Sequence, residues 1–201
     1  CMAYHGRFDH FDRQLKNATR GARRVINEYG DLLYGFVEKP FSRICFLGSG
    51  PLQGAMQECA LKMLEMTDGK IASAFNSFLG VRHGPKVFLR GDCRVVGALS
   101  GDSRVRPYEI DLLREIKKQI GGSNLLLICN QRDAGVDDLA CNVVELFPDG
   151  GELPDLFRVV TDVLVGQMIG LFASLELGLL PDRPSQTGAI NRVVEGVSIY
   201  R

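Results

Sequence analysis

The chain has 201 residues, with 24 lysines and arginines balanced by 24 aspartates and glutamates, so its formal net charge is zero. This length suits one well-buried α/β domain with a little chain to spare. A balanced charge removes the electrostatic argument for nucleic acid or an anionic membrane as a partner. The first residues lack the apolar core of a secretory signal, and we therefore expect a cytoplasmic protein.

The cysteines and histidines are scattered along the chain. The six cysteines form no Cys-x-x-Cys pair, and several lie in apolar segments, where cysteine acts as a small hydrophobic residue. The three histidines are too few and too far apart to form a zinc cluster. We expect reduced thiols and no metal site.

The first predicted element is a long amphipathic helix over residues 8 to 38, in which apolar residues recur at steps of three and four. Gly21 and Gly30 are the points at which it could break, and Pro40 ends it. The strand pattern "RICFLG" (43–48) follows, then the glycine turn "GSGP" (48–51) and a helix over residues 51 to 66.

Apolar segments then alternate with amphipathic helices. The apolar segments are "KIASAF" (70–75), "RVVGAL" (94–99), "NLLLICN" (124–130) and "CNVVEL" (141–146), and helices begin at Pro107 and Pro154. The last helix is better explained as a buried core helix than as a membrane span, because Gln167 and Glu176 interrupt its apolar run. We predict an α/β fold with a doubly wound, mainly parallel, five-stranded sheet, whose ligands bind at the carboxyl ends of the strands.

The helix over residues 51 to 66 carries a charged stripe. At 100° per residue, Glu58, Lys62 and Glu65 fall within a wedge about 60° wide that apolar residues border. One interpretation is an exposed helix face, where Glu58 and Lys62 form an i,i+4 pair contributing about 0.2–0.5 kcal/mol. The other is a wall of a cleft, where a carboxylate moves a proton between adjacent sugar carbons and a cation stabilises negative charge on oxygen.

Two turns are candidates for ligand contact. Ser49 and Gly50 lie in the "GSGP" turn, where free backbone N–H groups attract an anion such as phosphate. The turn lacks the third glycine of a dinucleotide fingerprint, so we expect no NAD and no other cofactor. The segment "SGDSR" (100–104) is either a phosphate nest or an ordinary turn with helix-capping residues, and we favour the ordinary turn.

The segment "RHGP" (82–85) contains Arg82 and His83. This is the only histidine outside the N-terminal segment. It is either a structural residue or, in a loop that borders the edge of the sheet, a group that opens a sugar ring.

These segments, in this order, resemble the sugar isomerase (SIS) domain, a phosphosugar-binding α/β module. Residues 48–75 and "LGVRHGPKVFL" (79–89) resemble the second SIS half of two-domain isomerases. The ending "GLLPDRPSQTGAINRVVEGVSIY" (178–200) is similar to that of the tagatose-6-phosphate ketose/aldose isomerases, also described as galactosamine-6-phosphate deaminase/isomerases. The resemblance covers residues 40 to 201.

The resemblance implies a flavodoxin-like fold and a role for each charged residue. The isomerase half of glucosamine-6-phosphate synthase has a comparable Glu-x-x-x-Lys-x-x-Glu helix followed by a His-Gly-Pro loop. Carried over by position, Glu65 would move a proton between C1 and C2, and Lys62 would assist at the substrate oxygens. Glu58 would orient groups in the site, and His83 would open the ring.

The resemblance also implies a metal-independent isomerisation or deamination of a hexose or hexosamine 6-phosphate, and a homodimer, because the family's histidine reaches the site of a neighbouring subunit. Ser49, Gly50 and Arg82 would contact the substrate. The synthase has a functional lysine in its tail. This chain has Glu195 at that position, with Arg192 as the nearest cation, so its chemistry could differ.

The family's strongest phosphate contacts come from a Ser/Thr-rich loop in the first SIS half. The resemblance implies that residues 1–39 are the end of that missing half and a connecting helix, and that residues 40–201 are the SIS domain. The resemblance is therefore compatible with an isolated chain that is inactive, because those phosphate contacts would be missing. The alternative is a non-catalytic SIS domain that senses a phosphosugar or serves in dimerisation.

Overall fold

The computed structural model describes residues 8–183 together with Ser185, Gly188 and Ser198. Arg192 and Glu195 lie outside the described residues. The helices within this range are α1 (Phe8–Glu28), α2 (Gly30–Val37), α3 (Pro51–Met66), α4 (Phe78–Arg82), α5 (Arg106–Ile120), α6 (Ala134–Asp137) and α7 (Asp155–Glu176). The strands are β1 (Arg43–Gly48), β2 (Ala72–Asn76), β3 (Arg94–Ala98), β4 (Leu125–Cys129) and β5 (Asn142–Glu145).

The five strands form one parallel sheet in the order β2-β1-β3-β4-β5. In the register of the sheet, Phe46 of β1 lies beside Phe75 of β2 and Val96 of β3. The order of the strands reverses between β1 and β3, and this is the point at which open α/β sheets form a ligand-binding crevice. The predicted fold class, a doubly wound parallel sheet of five strands, is confirmed.

Two layers of helices cover the sheet, and the pleat of β1 distributes its side chains between them. Ile44 and Phe46 pack into the layer of α1, α2, α3 and α7. Cys45 and Leu47 pack into the opposite layer of α4, α5 and α6. A strand that is buried on both faces needs apolar side chains at successive positions, which explains the uninterrupted pattern "RICFLG".

The N-terminal segment forms two helices that lie on this domain. The helix predicted over residues 8 to 38 breaks at Tyr29, directly before Gly30, which is one of the two predicted points. The Tyr29 hydroxyl donates to the carbonyl oxygen of Glu145 at 2.9 Å and accepts from its N–H at 3.0 Å. It thereby covers backbone groups of the edge strand β5. Both helices also contact α7.

The helix α7 is a core helix. Its length and composition would allow it to cross a membrane. However, it carries the fully buried pair Arg158 and Asp162, and it packs closely against α3. Gly166 lies so near Cys59 that an added Cβ atom would come within 2.3 Å of the Cys59 sulfur. These contacts agree with the predicted core helix.

Candidate active site

The three residues of the charged stripe lie together on α3. The Lys62 Nζ atom is 2.6 Å from Glu65 Oε2 and 3.5 Å from Glu58 Oε1. The closer pair is thus the i,i+3 pair with Glu65, and not the i,i+4 pair that the spacing first suggests. The hydrogen bond to Glu65 raises the pKa of Lys62, so this side chain remains a cation.

The stripe borders the exposed face of α3. The apolar residues on one side of it, Met56, Cys59 and Met63, are fully buried against the core. Leu61 and Leu64, on the other side, are nearly half exposed. The three charged side chains are each about a third exposed, and another folded surface could therefore reach them.

An open groove runs beside the stripe between α3 and α7. It has a volume of about 470 Å³, and its walls are Pro51, Gly54, Ala55, Glu58, Val159, Val160, Val163 and Gln167. Of the three stripe residues, Glu58 alone lines this groove. The walls are mainly apolar, so the groove by itself offers few groups to a sugar phosphate.

The "GSGP" turn connects β1 to α3 at the carboxyl edge of the sheet. A side chain at position 48 would collide with the Leu52 backbone at 2.6 Å, which explains the glycine. The N–H groups of Leu52 and Gln53 donate to the carbonyl oxygens of Ser49 and Gly50, each at 3.1 Å. Because proline has no N–H, the turn has fewer free donors for an anion than we expected.

Ser49 contacts a carboxylate that the sequence analysis did not single out. Its hydroxyl donates to Glu109 Oε1 at 2.6 Å, and the Ser100 N–H donates to Glu109 Oε2 at 2.8 Å. Glu109 is buried, and burial raises the pKa of its carboxyl group. It borders a cavity of about 350 Å³ that Ser49, Gly50 and Tyr108 also line. This cavity lies at the crevice between β1 and β3.

The "SGDSR" segment is a turn whose donors are satisfied by Asp102, within the segment, and by Asp155, the first residue of α7. Asp155 accepts from the Ser100 hydroxyl at 2.6 Å and from the Gly101 N–H at 2.9 Å. The carboxylate of Asp102 accepts from the Arg104 N–H at 2.8 Å and from the Arg104 guanidinium at 2.7 Å. These hydrogen bonds lower the pKa of Asp102 to about 2. The geometry agrees with the interpretation as an ordinary turn.

Arg158 ties the carboxyl ends of two strands together. Its guanidinium donates to the carbonyl oxygen of Leu99, directly after β3, at 2.5 Å. It also donates to the carbonyl oxygen of Ile128, the last residue but one of β4, at 3.2 Å. It also pairs with Asp162 at 2.7 Å. Burial raises the pKa of Asp162, and Arg158 opposes that rise. Sequence reasoning missed this pair, although opposite charges four residues apart in an apolar helix are a signal for it.

The "RHGP" segment lies on the other face of the sheet, at the end of α4. Arg82 forms salt bridges with Asp111 at 2.9 Å and with Glu115 at 2.6 Å, both on α5. Lys86 joins this cluster through Glu115 at 2.6 Å. His83 is exposed. Arg82 is therefore held by protein carboxylates, whereas the His83 ring is accessible from outside the chain.

The described chain does not gather all of these predicted residues around one ligand. Pro51 begins α3 and Glu65 lies in its last turn, so a rise of about 1.5 Å per residue separates them by about 20 Å. Glu65 thus lies at the opposite end of the helix from the "GSGP" turn, whereas Glu58, near the middle of the helix, lines the same groove as Pro51. Within residues 8–183, no group of histidine, cysteine, aspartate and glutamate side chains is suited to hold a metal ion.

Known proteins show the same fold and a related sequence. The chain is 32% identical over 188 residues to the D-galactosamine-6-phosphate deaminase AgaS of Escherichia coli, covering 94% of this chain and 48% of that protein. Its structure matches a candidate tagatose-6-phosphate ketose/aldose isomerase from Clostridium novyi NT with a TM-score of 0.90 and 32% identity, over 98% of this chain and 50% of that one. The tagatose-6-phosphate ketose/aldose isomerase from E. coli matches with a TM-score of 0.77 and 31% identity, over 92% and 46%.

The chain is therefore related in sequence and in fold to these deaminases and ketose/aldose isomerases. It spans about half the length of the curated relatives that it matches, which is consistent with the predicted C-terminal SIS half. No protein-family model matches the chain. The sequence and structure matches above confirm the resemblance inferred from the "GSGP", "RHGP" and C-terminal segments.

Proposed function

We propose that this chain supplies the proton-transfer helix of a sugar-phosphate aldose/ketose isomerase or isomerase/deaminase that acts on a hexose or hexosamine 6-phosphate. The observation that carries the proposal is the ion-paired stripe Glu58–Lys62–Glu65, which is partly exposed on the outer face of α3. A phosphosugar sensor does not need an acid/base pair, so a carboxylate and an ammonium held 2.6 Å apart favour an enzyme over a sensor. The names of the related proteins favour the same substrate class.

The proposed reaction is a proton transfer between adjacent carbons. Glu65, as a carboxylate, removes the proton from C2 of the open-chain aldose, which leaves an enediolate with its negative charge on O1. The hydroxyl proton of O2 passes to O1, and Glu65 returns its proton to C1 to give the ketose. Lys62 keeps its proton and stabilises negative charge on the substrate oxygen while the enediol forms. Glu58 also pairs with the Lys62 ammonium and helps to keep it in position. No electron leaves the sugar, so this reaction needs neither a redox cofactor nor, in this proposal, a metal.

The other predicted residues have less direct support. His83 is accessible and is proposed to open the sugar ring, in a homodimer whose subunits share their sites. Arg82 would have to leave Asp111 and Glu115 before it could bind substrate. The roles of Ser49, Gly50 and Arg192 in substrate binding remain predictions, as do the cytoplasmic location and the domain boundary at residue 39.

The test replaces the proposed proton carrier without changing its shape. In the protein as its gene encodes it, Glu65→Gln should lower kcat for a hexose or hexosamine 6-phosphate by about 10²–10⁴-fold, because the amide cannot accept the proton. KM should change little, since the amide fills the same space. Steady-state kinetics measures both.

The matched control is Glu28→Gln, which alters an exposed carboxylate paired with Arg24 on α1. It should leave kcat unchanged. A Glu65→Gln variant as active as the wild type would refute the proposed role of this residue.

A further inference from the structure

The loop that follows β3 holds a carboxylate in the way that anion-binding loops hold phosphate. The Ser100 hydroxyl and the Gly101 N–H both donate to Asp155, one to each carboxylate oxygen, at 2.6 and 2.9 Å. The Arg158 guanidinium lies 3.6 Å from the same carboxylate. Backbone N–H, hydroxyl and guanidinium groups that converge on one point are the donors that proteins use for anions. We call the donors of Ser100 and Gly101 the β3 nest.

The anion in the β3 nest comes from a distant part of the chain. Asp155 is the first residue of α7 and lies 54 residues after Gly101. Its side chain is 17% exposed and Ser100 is 3% exposed, so the hydrogen bond between them is largely shielded from water, whereas the bond from the Gly101 N–H is exposed. Shielding strengthens the attraction between donors and a charge, and it makes an unfilled nest costly.

A free anion would have room to reach the β3 nest if the carboxylate were absent. Ser100 and Gly101 line an open cavity of about 480 Å³, together with Arg106 and Asn130. A Cβ atom at Gly101 would lie 3.4 Å from the Asp155 carboxylate and 3.5 Å from the Asn130 amide, so the carboxylate sits at the boundary of this cavity. Arg106 keeps its guanidinium at this boundary by donating to the Ser100 carbonyl oxygen at 3.1 Å.

We propose that the Asp155 carboxylate occupies the β3 nest and thereby prevents phosphate from binding there. Phosphate should bind in the nest once this carboxylate is removed. Asp155 then selects the place at which a phosphorylated ligand binds: phosphate must be held outside this loop. This inference stands independently of the proposed function, because it concerns binding of inorganic phosphate and not turnover.

The test compares thermal unfolding of the chain in sodium phosphate and in sodium chloride of equal ionic strength. In chloride, Asp155→Ala should lower Tm by about 2–8 °C, because it leaves the shielded Ser100 hydroxyl without its acceptor. Phosphate should restore about half or more of that loss, because it enters the empty nest and stabilises the folded state by mass action. Asp155→Asn should show no such recovery, because its amide still fills the nest.

The matched control is Asp133→Ala. It removes another carboxylate that accepts a backbone N–H, from Val136 at 2.9 Å, and that pairs with Arg106 at 2.9 Å. Its loss of Tm should not recover in phosphate. Equal effects of phosphate on the wild type, Asp155→Ala and Asp133→Ala would overturn the proposal, as would a Tm of Asp155→Ala equal to that of the wild type.

A second variant covers the case in which Asp155→Ala does not fold in chloride. Asp155→Ser keeps a small polar side chain at the first residue of α7 and still empties most of the nest. Refolding of either variant in phosphate and not in chloride supports the proposal. Failure of phosphate to improve the folding or the Tm of both variants overturns it.

Discussion

Glu109 illustrates how the edge of the sheet depends on single side chains. It is 1% exposed, yet both of its carboxylate oxygens have donors, from the Ser49 hydroxyl and the Ser100 N–H. It therefore joins the loops after β1 and β3, which border the crevice. A buried carboxylate is tolerated when each oxygen is hydrogen-bonded.

Two replacements of Glu109 should separate the contribution of its hydrogen bonds from that of its charge. Glu109→Gln can still accept from the Ser100 N–H and can donate to the Ser49 oxygen, so we expect a change of within about 1 kcal/mol in the free energy of unfolding at pH 7. Glu109→Ala leaves the Ser100 N–H buried without a partner and should cost about 1–3 kcal/mol. Urea unfolding measures both, and equal stabilities of the two variants would contradict this account.

Because the pKa of Glu109 is raised, the stabilities of the wild type and of Glu109→Gln should depend differently on pH. A carboxyl group whose pKa is higher in the folded state than in the unfolded state stabilises the fold at any pH below its unfolded-state pKa, which is near 4.5 here. This stabilisation is lost as the pH rises through the raised folded-state pKa. Glu109→Gln does not titrate. Its stability relative to the wild type should therefore increase as pH rises through that window, and parallel pH profiles would show the assignment to be wrong.

At the scale of residues, a sequence reveals local charge patterns and hides distant pairs. The stripe Glu58–Lys62–Glu65 was predicted from the 100° step of a helix, because its members lie within two turns. The contact of Ser49 with Glu109 spans 60 residues and depends on which strands are neighbours. No local spacing indicates such a pair, so the main carboxylate of the crevice was missed.

The packing of α7 on α3 determines where the stripe lies. Gly166 and Gly170 allow the helices to approach closely, since Cβ atoms there would lie 2.3 Å from the Cys59 sulfur and 3.2 Å from the Met66 sulfur. This contact buries the face of α3 that carries Cys59 and Met63. The charged residues are consequently directed away from the core.

Substitutions of three glycines should report on this contact. Gly166→Ala should destabilise the fold by about 1–3 kcal/mol, because the new methyl group overpacks the contact with Cys59. Gly170→Ala should cost less, because it meets a flexible methionine. Gly54→Ala, on the exposed side of α3 with nothing within 4 Å, should stabilise by about 0.5–1 kcal/mol. Denaturant unfolding ranks the three, and a different order would contradict the close packing of α3 and α7.

Elements were predicted well where periodicity is strong. The apolar strands and the helices between them are recognisable because both faces of the sheet are covered. The break in the first predicted helix at Tyr29 was located only as one of two candidate glycines. It depends on the hydrogen bonds of the tyrosine with Glu145 of β5, a contact between elements that are distant in the sequence.

At the scale of the whole molecule, the chain separates Glu65 from the "GSGP" turn, which the sequence analysis placed in one substrate site. Pro51 of this turn, at the carboxyl edge of the sheet, lies about 20 Å from Glu65 along α3. The stripe faces outward, beside the apolar groove in which Val160 is 70% exposed. The proposed catalytic helix is therefore accessible to a second folded unit that would complete the substrate site.

The most direct measurement of the central claim is deuterium exchange into the sugar in D₂O, followed by NMR for galactosamine 6-phosphate and tagatose 6-phosphate. The wild-type protein, as its gene encodes it, should place deuterium on C1 or C2 of its substrate, since an enediol exchanges the proton that Glu65 carries with solvent. Glu65→Gln should lose this exchange by about 10²-fold or more while substrate still binds. Equal exchange in the two proteins would contradict the proposed mechanism.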